Sequence, residues 1–442
     1  VKRPAATLLI VGSAIAMLVA GIAAVLVVAL VVSNLRAPGA PTAGAPTAGA
    51  PPAAEPPGAG AGSGSATPPP GERLADYTFG HTAAVVAPNG PGAPTELTER
   101  LPFRLGADVT SLRLHVRNWD YIGDRPIPGA IDISGIALGR AASAEIPGES
   151  SAFAEAPLLV SPGSTLTDGE EYVSDWLDAS SIGFENGVPF ILSLGISAPA
   201  GVELGAAGSV AWRAGSAEPA LVTRESSVGD YSMDASFLDI WLEYTLTSDE
   251  KLVVVAGHSL NSGANSAAAE HPHAGENSAW HQLWANENDG LAASLSAPGS
   301  WTTNFPPDSP KWELYDGLQP DAFVLWSASN DLAGGQSIDV LRSAWLAALG
   351  RAQERWPDAR LFAMTEPGRG LTGPLEANRV LWNASLRADT SGLFTVIDAD
   401  ALLSDPDRPS LLDPAIDGDG IHPTPAGNQR IADAFERALS GR

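Results

Sequence analysis

Lys251-Leu252-Val253-Val254-Val255-Ala256-Gly257-His258-Ser259-Leu260 is the stretch on which the reading of this chain turns. Its apolar run is too short for a core helix, is rich in β-branched valine, and stops at glycine, which marks a buried strand ending in a tight turn. A serine just past such a strand end is placed to act as a nucleophile if a base lies nearby. Taken alone, a serine in such a place is more often a turn or cap residue.

Downstream of Lys251, short apolar strands (Leu252–Ala256, Ala322–Trp326, Leu361–Met364, Phe394–Ile397) alternate with segments of helical spacing (Ile338–Trp356, Leu375–Arg387, Ala426–Leu439). This rhythm predicts an α/β domain over residues 249–442, with a parallel sheet covered on both faces and its site beyond the carboxyl ends of the strands.

Upstream, residues 73–248 change to period two. Leu112, Leu114 and Val116 alternate with Arg113, His115 and Arg117, and Ile131/Ile133, Leu192/Leu194/Ile196 and Leu238/Ile240/Leu242 repeat the habit between Pro-Gly, Asn-Gly and Gly-Asp turns. An all-β, jelly-roll-like sandwich is expected there. Residues 37–72 are almost wholly Ala, Pro, Gly, Ser and Thr, a composition that cannot bury a core and reads as a disordered linker.

Residues 1–36 read as a cytoplasmic tip followed by a transmembrane signal anchor. Leu8 to Val32 carries no charge and, at about 25 residues, exceeds the roughly 20 needed to span a bilayer. Lys2 and Arg3 before it place that end in the cytoplasm and the rest of the chain outside; the alternative is a cleaved signal peptide and a secreted protein.

With 442 residues and 44% hydrophobic content, the chain is long enough for more than one folded unit. The net charge of −26 argues against a nucleic-acid partner. The absence of cysteine excludes disulfides, thiolate nucleophiles and cysteine-held metals.

Two further segments matter. Val324-Leu325-Trp326-Ser327-Ala328-Ser329-Asn330-Asp331 is a strand followed by polar residues, so that Asn330 can offer its amide to a developing oxyanion or simply start a turn. Asp417-Gly418-Asp419-Gly420-Ile421-His422-Pro423 sets a carboxylate and an imidazole three residues apart on a glycine-containing turn. That is either a base with its orienting acid or a loop histidine among solvated acids.

In this order and at these strand ends, Gly-His-Ser-Leu, Ser-Asn-Asp and Asp-Gly-Ile-His-Pro resemble three blocks of the GDSL/SGNH hydrolases. Ser296-Ala297-Pro298-Gly299 matches a fourth, the glycine loop after the second strand. Leu318-Gln319-Pro320-Asp321-Ala322 and Arg379…Asn383 agree with the flanks. The β region looks like the leader domain of some actinobacterial members, with Val116-Arg117-Asn118-Trp119 followed by Arg125-Pro126-Ile127.

The resemblance implies a flavodoxin-like three-layer domain, with Ser259 as nucleophile, His422 as base and Asp419 as its orienting acid. It also implies an oxyanion hole from the backbone N–H groups of Ser259 and Gly299 and the amide of Asn330. It calls for no metal or organic cofactor. Two positions depart from the family pattern: His258 stands where an acid is usual, and Ala328 where glycine is usual. His258 is expected either to weaken the turn or to replace the acid's hydrogen bond. Ala328 is tolerable unless φ must be positive there.

His271, His273 and His281 suggest a metal, but Glu270-His271-Pro272-His273 reads more simply as a solvated loop. Trp280 and Trp284, four apart, are expected to seat a helix on the core. The expectation is therefore an extracytoplasmic, membrane-anchored serine esterase acting on short acyl or acetyl esters of carbohydrates, lipids or small molecules. The rival is a catalytically weakened relative that binds glycan or cell envelope through its β sandwich.

Overall fold

Period-two alternation builds the first half of the computed structural model, which describes residues 72–86, 96–144, 150–207, 211–232, 236–264 and 278–441. The expected anchor, the linker up to residue 71, and His271 and His273 lie outside the described residues. Among the described residues no helix is long and apolar enough to cross a membrane.

Strands β1 (Arg73–Gly80), β2 (Glu96–Phe103), β3 (Val109–Arg117), β4 (Ala130–Arg140), β5 (Phe190–Ser197) and β6 (Asp239–Leu246) carry the β region. One antiparallel sheet places β6 between β1 and β3; the other places β5 between β2 and β4. The alternation seen in the sequence sets the pairing. Leu112, Leu114 and Val116 stand opposite Tyr244, Leu242 and Ile240 on the core face.

The other face of the same pair is matched residue by residue. Arg113 Nε donates to Glu243 (2.5 Å), His115 stacks on Trp241 (4.7 Å), and Arg117 bonds Asp239. Cross-strand partners of this kind let polar side chains leave water, so Arg117 is 9% exposed and Asp239 fully buried. Burial pushes the Asp239 carboxyl up, but Arg117 and His81 outweigh it and hold it below the usual range.

The second half contains β7 (Leu252–Gly257), β8 (Leu291–Ser294), β9 (Ala322–Trp326), β10 (Arg360–Met364) and β11 (Thr395–Ile397). All are parallel, in the order β8-β7-β9-β10-β11. This is the flavodoxin-like arrangement, whose order reverses at its first strand. The helices α1 (Trp280–Glu287), α2 (Ile338–Arg355), α3 (Gly373–Arg387) and α4 (Pro425–Ser440) cover it.

Alternate strand residues go to opposite layers. Val253, Val255, Val324 and Phe362 pack with α1 and α4, where Trp280 and Trp284 each meet Phe435 at 5.1 Å. Val254, Leu325 and Ala363 pack with α2 and α3, where Trp345 meets Trp382 at 5.8 Å. Burial on both faces explains why these strands read as unbroken apolar runs. The strand missing from the sequence reading is β8: Leu-Ala-Ala-Ser has no distinctive pattern, and it forms the sheet edge.

The edge strand is covered by the β region. Thr78 Oγ1 accepts from the Ser294 N–H (3.1 Å), His81 Nε2 donates to Ser294 O (2.7 Å), and Tyr315 Oη donates to the same carbonyl (2.5 Å). Tyr121 Oη donates to Leu295 O (2.7 Å). His81 is braced in turn by Asp239 Oδ1 at 2.5 Å. The described residues of both halves accordingly pack as one unit, with a hydrophobic core continuous from Leu74 to Leu386.

Candidate active site

Gly257 makes the turn after β7 possible. Its φ is +144°, and a Cβ there would lie 1.7 Å from Trp326 O. Asn261 then braces the turn: its Nδ2 donates to Ala256 O (3.1 Å) and Trp326 O (3.3 Å), while its Oδ1 accepts from Trp280 Nε1 (2.9 Å). Gly257→Ala is expected to destabilise the protein by more than about 4 kcal/mol, because backbone must move to admit the methyl group. A melting temperature within a few degrees of the parent would show that the turn yields more easily than this packing implies.

Ser259 emerges from the turn with its Oγ 2.8 Å from His422 Nε2. His422 Nδ1 lies 2.8 Å from Asp419 Oδ2, and Asp419 Oδ1 accepts the backbone N–H groups of Ile421 (3.0 Å) and His422 (2.8 Å). Burial raises the Asp419 carboxyl, but the hydrogen bond and charge of His422 and these two amides prevail and keep it below the ordinary range. The loop closes on itself through Gly418 N–H to His422 O (2.9 Å) and Gly420 N–H to Asp417 Oδ1 (2.5 Å). Serine, imidazole and carboxylate thus form one hydrogen-bonded chain, although Ser259 lies 163 residues from His422.

Gly299, in a loop, and Asn330, in the short helix Ser329–Ala333, are brought together. Asn330 Nδ2 donates to Ser300 O (3.0 Å), and Gly299, with φ +82°, forms the turn before it. Among the described residues, no hydrogen bond joins either residue to Ser259. The backbone N–H groups of Ser259 and Gly299 donate to no protein acceptor there either. An N–H left unused on the nucleophilic serine itself is a donor of the kind an oxyanion needs.

Both departures from the family pattern meet one carboxylate that the sequence reading missed. Glu366, 1% exposed, lies 3.2 Å from His258 Nε2 and accepts the Ala328 N–H at 2.8 Å. His258 Nδ1 accepts the Leu260 N–H (3.3 Å), so its proton sits on Nε2, toward Glu366. The histidine thus makes a hydrogen bond within the turn, and the nearby acid comes from the loop after β10. Ala328 has φ −86°, which alanine adopts without strain. Glu366 is itself held by Asn383, whose Oδ1 accepts its N–H (2.8 Å) and whose Nδ2 donates to its carbonyl (2.8 Å). Arg379 donates to the same carbonyl (2.7 Å). The signal available in sequence was a charged residue directly after a buried strand, in Met364-Thr365-Glu366-Pro367.

Trp280 and Trp284 are core residues of α1, as their spacing predicted. Among the described residues no group of histidines or acids is placed to hold a metal.

A parallel α/β sheet with a serine at the end of its first strand, in contact with a histidine before its last helix, defines the class: a serine hydrolase acting on ester bonds. Residues 255–430 match the GDSL-like Lipase/Acylhydrolase family, so this part of the chain is a GDSL-type acylhydrolase domain.

No curated protein matches the sequence. Solved structures with a similar fold include a family two carbohydrate esterase from Cellvibrio japonicus (11% identity, 84% of this chain and 99% of that chain covered, TM-score 0.36). A carbohydrate esterase family 2 enzyme with a carbohydrate-binding domain from Corynascus thermopiles (Myceliophthora fergusii) is 13% identical (83% and 99% covered, TM-score 0.37). A GDSL-like lipase from Bacteroides thetaiotaomicron VPI-5482 is 14% identical (43% and 88% covered, TM-score 0.31).

Proposed function

We propose that the protein is an extracytoplasmic serine esterase that removes short acyl groups through an acyl-enzyme. The observation that supports this most is the Ser259–His422–Asp419 chain, with both links at 2.8 Å. In this reading Ser259 Oγ attacks the ester carbonyl while His422 Nε2 takes its proton. Asp419 holds the imidazole in the tautomer whose Nε2 is free to accept, and stabilises the imidazolium that forms. The unused N–H groups of Ser259 and Gly299, with the Asn330 amide, bind the tetrahedral oxygen. His422 then gives its proton to the departing alkoxide, and water repeats the cycle on the acyl-serine.

The extracytoplasmic setting rests on the uncharged run Leu8–Val32 behind Lys2 and Arg3. A retained set of five site residues favours the enzyme over a decayed binding protein, since nothing in a binding role would keep the proton path aligned.

A fluorophosphonate probe at neutral pH is expected to form a single covalent adduct, mapped to Ser259 by peptide mass spectrometry. An adduct on another residue, or a folded protein that stays unlabelled, would overturn the assignment.

A further inference from the structure

Arg369 lies in the turn after β10, in Glu366-Pro367-Gly368-Arg369-Gly370, and was not among the candidate residues. One of its guanidinium nitrogens, Nη1, donates to Ser329 Oγ (2.8 Å) and to Asn330 Oδ1 (3.2 Å). Among the described residues no carboxylate comes within ion-pair distance of it. Burial lowers the guanidinium from its ordinary value, opposed by the charges of Glu366 and Asp419. A half-buried cation without a direct counter-ion is a poor structural device, because its desolvation is repaid only in part. Its placement therefore calls for another explanation.

The neighbour it grips supplies one. A side-chain amide has two acceptor lone pairs on oxygen and two N–H donors on nitrogen, and nothing intrinsic prevents it from turning over. Asn330 Nδ2 spends one N–H on Ser300 O at 3.0 Å, which leaves one for a ligand. Arg369 is a pure donor, so it accepts only the orientation in which Oδ1 faces it and Nδ2 faces the Ser300 side of the site. Drawing density toward Oδ1 also makes the remaining N–H more acidic, and hence a stronger donor to a developing negative charge.

We propose that Arg369 is the positioning residue of the oxyanion site, locking and polarising the Asn330 amide for the transition state. This rests on the esterase reading above. Arg369 acts through Asn330, and its effect falls on turnover rather than on substrate binding, because the oxyanion charge exists only as the reaction proceeds.

The test is a double-mutant cycle on p-nitrophenyl acetate hydrolysis by the full protein, with Ser259→Ala measured alongside. Arg369→Ala is expected to lower kcat about 10²-fold, the scale of one lost oxyanion donor, with KM within about twofold. Added guanidinium chloride should restore part of kcat where sodium chloride at equal ionic strength does not. Arg369→Lys keeps the charge but not the planar fork and should fall in between; it also serves if Arg369→Ala does not fold. Arg369→Ala should cost nothing further in an Asn330→Ala background.

An unchanged kcat in Arg369→Ala, or losses that multiply in the double variant, overturns the proposal. Activity surviving in Ser259→Ala overturns the esterase reading itself. Loss in Ser259→Ala without an Arg369 effect overturns only the present inference.

Discussion

Replacing Ser259 with alanine is expected to lower kcat for short-chain p-nitrophenyl esters by roughly 10⁵–10⁶-fold, with the melting temperature unchanged within a degree or two. The size of the effect follows from the geometry. Ser259 Oγ is the hydroxyl that His422 Nε2 touches, at 2.8 Å, so its removal deletes the covalent intermediate and leaves the imidazole with nothing to deprotonate. What survives is the contribution of bound substrate and oxyanion donors, a residual of about 10³–10⁴ over water in enzymes of this kind. Stability should hold because the hydroxyl has a single side-chain partner and the turn is braced by Asn261 and His258 instead. Comparable turnover in the parent and the variant, measured on matched preparations, would remove Ser259 from the chemistry.

Asp419→Asn is the second large effect, expected at about 10⁴-fold in kcat with little change in KM. Asp419 does more than balance charge. Its Oδ1 accepts two backbone amides, which fixes the carboxylate before Oδ2 reaches His422 Nδ1. An asparagine can keep the amide bonds to its oxygen, but it then presents an N–H donor to Nδ1. The imidazole answers with the opposite tautomer, placing its proton on Nε2 against the serine hydroxyl. The fold is preserved and the proton path reversed, so kcat should fall while circular dichroism and melting stay close to the parent. Loss of both together would mean that Asp419 serves the loop and not the histidine.

How much of this was legible in the sequence depended on what kind of signal each residue left. The runs that became β7 and β9 stood out because both faces of a parallel strand are buried, so no polar residue interrupts them. β8 left no such trace: Leu-Ala-Ala-Ser at a sheet edge looks like any small-residue stretch, and only the covering β region makes it a strand. Ser259, Asp419 and His422 were visible as candidates because their segments together resemble blocks of the GDSL/SGNH hydrolases, whereas each alone also reads as an ordinary turn.

Glu366 and Arg369 were not visible, since Thr-Glu-Pro-Gly-Arg-Gly reads locally as a solvated turn. They reach the site only because β10 lies beside β9 and delivers its loop under the Asn330 segment. The role of His258 was likewise hidden, as its partner lies 108 residues away. Short-range chemistry can be read along a chain; the second partner in a buried pair usually cannot.

The carbonyls of Ser294 and Leu295, which the β region holds through His81, Tyr121 and Thr78, immediately precede the loop that carries Gly299. A hydrolase half detached from that support would expose an edge strand and release the backbone leading into the Gly299 loop. In this chain the two halves therefore depend on one another: attaching either to a different neighbour would require this hydrogen-bonded seam to be rebuilt. A substitution at His81 or Tyr121 would therefore be felt in the other half, through the backbone that leads to Gly299.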